Sequence, residues 1–123
     1  MKILIVEDND MRIEWFKRVY RAQELHFAST CQIAECIVRE REYDAVFLDH
    51  DLLQNNHEAI NIEQTGYDFV RFMIKNNLCK TALVYVHSMN PTGANAMLNL
   101  LLDNKYQAEW IPFHLLKLED RGD

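Results

Sequence analysis

With 123 residues, 49% hydrophobic and 26% charged, the chain has the length and apolar content for one self-sufficient core and lacks the length for two, so residues 1–123 read as a single domain. A net charge of -6 excludes an extended nucleic-acid interface, which needs Lys and Arg clustered along a face, but leaves room for a short contact with a nucleotide or a strand end. Cys31, Cys36 and Cys79 form an odd set without paired zinc-ligand spacing, which argues against a disulfide framework or structural zinc and for buried thiols in a reducing, cytoplasmic setting.

Ile3-Leu4-Ile5-Val6 is a continuous apolar run that stops at Glu7-Asp8-Asn9-Asp10, as a strand buried on both faces stops at a polar loop. It is too short for a signal-peptide core, and no later run approaches membrane-spanning length, so no membrane partner is expected. Met11, Trp15, Phe16, Val19 and Tyr20 then trace a helical stripe with Asp10 as its N-cap. A weaker strand over Leu25 to Ser29 leads to a helix headed by Thr30, with Ile33, Ile37 and Val38 as its apolar residues. Ala45 to Leu48 is the next buried strand, Gly66 to Asn76 a third helix, and Ala82 to Val86 a fourth strand. Ala94, Met97, Leu98 and Leu101 line a fourth helix, Ala108 to Ile111 gives a fifth strand, and only Phe113 to Asp123 remains for a last helix, which should be short or absent.

Strands alternating with helices in this way predict an α/β fold, a doubly wound parallel sheet with right-handed crossovers. Ligands of such sheets sit beyond the carboxyl ends of the strands. Three strands deliver polar residues there: Glu7 and Asp8 from the first, Asp49, His50 and Asp51 from the third, His87, Ser88 and Asn90 from the fourth. Each has an ordinary reading alone, a turn-forming Asp or a satisfied His. Together they crowd enough ionisable groups that a cation or a ligand is needed to offset repulsion and desolvation.

Lys2 to Asp8 (KILIVED), Asp44 to Asp49 (DAVFLD) and Ser88 resemble the receiver domain of bacterial response regulators. The resemblance implies five parallel strands in the order 2-1-3-4-5. It further implies that Glu7 and Asp8 with Asp49 hold magnesium, that Asp49 accepts a phosphoryl group and that the Ser88 hydroxyl reads the phosphate. An oxygen-rich set of this kind suits a hard divalent cation, Mg²⁺ or Mn²⁺. Three features depart from the family. Its lysine after the fifth strand is missing, because Ile111-Pro112-Phe113-His114 occupies that stretch and Lys117 comes too late. Sixteen residues separate Asp49 from Gly66, including Gln54-Asn55-Asn56 and His57, and read as an added flap. Histidines flank the pocket in Leu48-Asp49-His50-Asp51-Leu52 and in His87-Ser88-Met89-Asn90-Pro91-Thr92-Gly93-Ala94.

Those two motifs, with Thr65-Gly66-Tyr67-Asp68 opening the third helix, are similar to the cyclic-phosphate processing receiver domain, a divergent relative of the receivers. That resemblance implies action on cyclic phosphates, such as 2′,3′-cyclic ends of damaged RNA. Opening such a ring with water needs a base and an acid, and His50 and His87, with Asp49, are the catalytic candidates. Asp8, Asp49, Asp51 and Glu7 are candidate metal ligands, although Asp8, Asp49 and Asp51 would equally serve to orient the two histidines. Asn90 with Pro91 caps the fourth helix, so N–H groups near Thr92 and Gly93, together with Ser88 and Asn90, make a phosphate site; the same cap would form without any phosphate.

Arg12 has the reach to meet a phosphate, although an exposed helix arginine is the commoner case. His57 is a secondary candidate, His26 and His114 read as surface or packing residues, and Trp15, Phe16 and Tyr20 read as packing rather than a base-stacking platform. The leading expectation is an enzyme acting on a phosphate-containing small ligand or an RNA end. The alternatives are an atypical receiver phosphorylated on Asp49, or a non-catalytic phosphate-binding module. A homodimer through an apolar face left open by a short last helix is a further expectation.

Overall fold

The computed structural model describes residues 1–52 and 64–118. The elements run β1 (Lys2–Val6), α1 (Asp10–Val19), β2 (Glu24–Ala28), α2 (Cys31–Glu40), β3 (Ala45–Leu48), α3 (Gly66–Lys75), β4 (Leu83–Val86), α4 (Pro91–Asp103), β5 (Gln107–Trp110) and α5 (Phe113–Leu118). All four strand pairings are parallel, and the sheet order is β2-β1-β3-β4-β5. The sequence expectation for strand order and for a short last helix therefore holds.

The period-2 alternation of strands explains the two layers of core. Leu4, Val6, Val46, Leu48, Val84 and Val86 point to one face, where Phe69, Met73, Met97 and Leu101 from α3 and α4 cover them. Ile3, Ile5 and Phe47 point to the other, where Trp15 and Phe16 of α1 and Leu116 of α5 pack. Among the described residues, the six-residue α5 leaves part of the second face open. A cavity of about 370 Å³ opens there among Ile3, Tyr20, Phe47, Tyr85, Ile111 and Leu116.

Local expectations fail at three places. The N-cap of α1 is Asn9, whose side chain accepts from the Arg12 backbone N–H at 3.1 Å, and Asp10 is the first helical residue instead. The acidic side chain of Asp10 still suits the positive end of the helix from there. Met11 is 83% exposed and Ile33 43%, so the inward faces of α1 and α2 are narrower than their apolar residues suggest. Of the thiols, Cys31 is buried but Cys36 is exposed. The added flap and His57 lie outside the described residues. Among the described residues, no helix is long and apolar enough to cross a membrane.

Candidate active site

Parallel β1 and β3 end side by side, Val6 beside Leu48, so the next residues of each strand meet at one edge of the sheet. Ligand oxygens of Glu7, Asp8 and Asp49 all lie within 4.8 Å of one another. Glu7 is fully buried and saturated with donors. Its Oε2 accepts the backbone N–H groups of Asp8 at 2.9 Å and Asn9 at 3.0 Å, and its Oε1 accepts from His87 Nε2 at 2.8 Å. Arg12 Nη1 stands 3.5 Å from Glu7 Oε1 and 3.5 Å from Asp49 Oδ2. Its guanidinium also lies over the Phe113 ring, 5.1 Å from the centroid.

The three carboxyls titrate differently. Burial pushes Glu7 upward, but the hydrogen bond and charge of His87, the Asn9 N–H and Arg12 together outweigh it and leave Glu7 below its ordinary value. Asp8 is held above its ordinary value by burial and then by the charge of Glu7. Asp49 is raised by the same two causes, with His87, the His50 N–H and Arg12 only partly compensating. Two carboxyls that resist ionisation beside a third that is ionised mark a cluster with more negative charge than its own residues balance. That charge imbalance and the all-oxygen donor set fit a hard divalent cation such as Mg²⁺ or Mn²⁺.

His50 follows at the mouth. Its backbone N–H donates to Asp49 Oδ1 at 2.9 Å, and its ring Nδ1 lies 2.9 Å from Asp51 Oδ1 and 3.5 Å from Asn90 Nδ2. The chain leaves β3 against the start of α3, where Gly66 N–H donates to the His50 carbonyl at 2.8 Å. A Cβ on Gly66 would sit 1.9 Å from the Asp49 carbonyl oxygen, so only glycine permits that approach. Thr65 and Asp68 close a capping box around the same turn. On the β4 side, Ser88 is fully buried and its Oγ accepts the Asn90 N–H at 3.0 Å, while Trp110 Nε1 donates to the Ser88 carbonyl at 2.9 Å.

The family model of the cyclic-phosphate processing receiver domain matches residues 2–103. The chain belongs to this family. A search of curated proteins found no match. Among solved structures, this cyclic-phosphate processing receiver is similar to a CheY-like receiver domain from Methylobacillus flagellatus, at 20% identity and a TM-score of 0.69, covering 97% of this chain and 92% of that one. It is similar to the non-phosphorylated HemR receiver domain from Leptospira biflexa at 23% identity and TM-score 0.67, with 96% and 90% covered. A third neighbour is the receiver domain of a sensor histidine kinase from Pseudomonas aeruginosa PAO1, solved with magnesium in its active-site cleft, at 15% identity and TM-score 0.67, with 95% and 92% covered. At these identities the likeness shows the fold.

Within the receiver domain, the residues singled out from sequence do not all meet. Glu7, Asp8 and Asp49 converge. Asp51 stands apart from that cluster, 71% exposed at its side chain and bonded to His50. His87 is not at the mouth: it is fully buried, with its ring 5.4 Å from Phe16, 6.4 Å from Phe47 and 6.3 Å from Phe113. Among the described residues its Nδ1 faces no polar partner, so the structure makes it the buried donor to Glu7 rather than a group open to substrate. The α4 N-terminus is already engaged, since Asn90 Oδ1 accepts the Gly93 N–H at 3.2 Å and the Asn90 carbonyl accepts the Ala94 N–H at 2.8 Å. Thr92 is exposed beside it. Sequence reasoning undervalued Arg12 and passed over Trp110, whose hold on Ser88 leaves no motif.

Proposed function

We propose that this receiver domain hydrolyses a cyclic phosphodiester, the substrate being a 2′,3′-cyclic phosphate at an RNA end or on a small nucleotide. The observation that carries the reading is His50: an imidazole beside the acidic cluster, with Nδ1 against the Asp51 carboxylate and, among the described residues, no partner on Nε2. A carboxylate on Nδ1 fixes the proton there and leaves the Nε2 lone pair free to act as a base. His50 Nε2 takes a proton from water as the water oxygen forms its bond to phosphorus. The bond from phosphorus to one ribose oxygen then breaks, and that oxygen takes its proton from solvent. Arg12 supplies positive charge for the phosphoryl oxygens, while the Ser88 hydroxyl, fully buried and accepting from the Asn90 N–H, shapes the turn behind the site. Glu7, Asp8 and Asp49 would hold a divalent cation, whose chemistry is to withdraw charge from a phosphoryl oxygen. His87 acts through Glu7, keeping that carboxylate in place.

The test is mass spectrometry of a short RNA ending in a 2′,3′-cyclic phosphate, incubated with Mg²⁺, Mn²⁺ or chelator. The expected product is heavier by one water, and His50→Ala should lower turnover by about two to four orders of magnitude. No mass change with the wild type under any condition removes this substrate class. In that case the atypical receiver, phosphorylated on Asp49, takes its place; the near approach of Glu7, Asp8 and Asp49 favours that reading too.

A further inference from the structure

The first turn of α4 contains a glycine, a poor helix former, at its third residue. The reason is what lies against it. A Cβ at position 93 would fall 2.4 Å from Cγ, 2.5 Å from Cδ2 and 2.8 Å from Nδ1 of His50, all closer than carbon tolerates. The three nearest atoms all belong to one imidazole, so the space that a side chain would fill is filled by the His50 ring.

We infer that Gly93 is a positioning residue for His50, the seat on which the ring rests, and not a cradle for phosphate. Asp51 alone would hold the ring loosely, because its side chain is 71% exposed and free to turn in water. The backbone of α4 supplies the rigid surface; Asn90, which caps that same turn through Oδ1, stands beside the ring, but its Nδ2 is a donor and makes no hydrogen bond with an Nδ1 that already carries a proton toward Asp51. Glycine at 93 and histidine at 50 are therefore one device built from two strand-to-helix junctions. Any larger residue at 93 pushes the imidazole off the helix and breaks its hydrogen bond with Asp51. The consequence for catalysis rests on the base role proposed above for His50; the seating itself does not.

The experiment is a four-protein cycle: wild type, Gly93→Ala, His50→Ala and the double variant. Alanine is the better helix former, so Gly93→Ala should raise the melting temperature when His50 is absent and lower it when His50 is present. Histidine ¹⁵N spectra should show His50 protonated on Nδ1 in the wild type and a changed tautomer balance in Gly93→Ala. On the cyclic-phosphate RNA, Gly93→Ala should lower kcat about 100-fold with KM little altered, as misplacing a catalytic group does. A melting shift of the same sign in both backgrounds, or an unchanged His50 spectrum, overturns the seat. If the wild type does not hydrolyse the RNA, the proposed function fails while the melting cycle and spectra still decide the role of Gly93.

Discussion

Glu7 joins the buried half of the site to the open half, taking His87 on one side and Arg12 on the other. The His87 pair lies wholly inside the protein, so His87→Ala would strand a buried carboxylate. Breaking such a pair costs about 3–5 kcal/mol, and urea unfolding should show it, with Glu7→Gln plus His87→Ala costing less than the sum of the single changes. A cost below about 1 kcal/mol combined with lost turnover would make His87 a participant in the chemistry rather than a support for Glu7. Arg12 is one quarter exposed and lies near two carboxylates, so it competes with any cation bound there. Arg12→Gln should therefore tighten Mg²⁺ binding by about three- to tenfold in titration calorimetry and weaken binding of inorganic phosphate. The position of His87 was in fact legible. Tyr85 packs with the α1 layer and Val84 and Val86 with the other, so continuing the alternation one step puts His87 under Phe16. Reading it as the first loop residue hid this. Arg12 was less legible, because helical periodicity gives its face but not the distance from α1 to the strand ends.

At the scale of elements, sequence was informative wherever a run of apolar residues ended in a capping group. Thr30, Thr65 and Asn90 all cap the helices they precede, and the strands match the expected segments to within a residue at their ends. It was weaker where two capping residues compete, as Asn9 and Asp10 do, and where an apolar residue lies off the buried stripe of its helix. Cys31, Ala34 and Val38 of α2 are buried while Ile33 is exposed, since at about 100° per residue Ile33 falls outside the stripe that 31, 34 and 38 share. Gly66 shows how one element junction fixes the site. Its missing Cβ would meet the Asp49 carbonyl oxygen at 1.9 Å and Met97 Cε at 2.9 Å. The methionine would yield, but the backbone oxygen would not. Gly66→Ala should thus cost about 3 kcal/mol in urea unfolding and move the amide signals of Asp49 and His50 in a ¹⁵N–¹H spectrum. A neutral substitution would mean that α3 starts elsewhere in solution.

For the whole molecule, the order of the sheet followed from alternation and from resemblance, whereas the balance of charge at its edge needed coordinates. The chain carries a net charge of -6 and sets three carboxyls within 4.8 Å. Asp8 and Asp49 sit above the ordinary aspartate value of 3.8, so their protonated forms favour the fold: that contribution is complete below 3.8 and is lost as pH rises through the raised values. Glu7 runs the other way, contributing above its ordinary 4.5 and losing that contribution as pH falls through its lowered value. Above those raised values the fold carries the cost of the two ionised aspartates. A divalent cation should relieve it, with a hundredfold excess over Kd stabilising by about 2.7 kcal/mol and raising Tm on the order of 10 °C. Asp49→Asn should raise Tm without added cation at pH above the raised Asp49 value, lose most of the response to Mg²⁺, and converge on the wild type as pH falls through that value. Sodium chloride at matched ionic strength should not reproduce the effect, since screening weakens these short, partly buried repulsions far less than a ligated ion does. Equal Mg²⁺ responses in wild type and Asp49→Asn, or full mimicry by sodium, would place the stabilising cation somewhere other than the junction of β1 and β3.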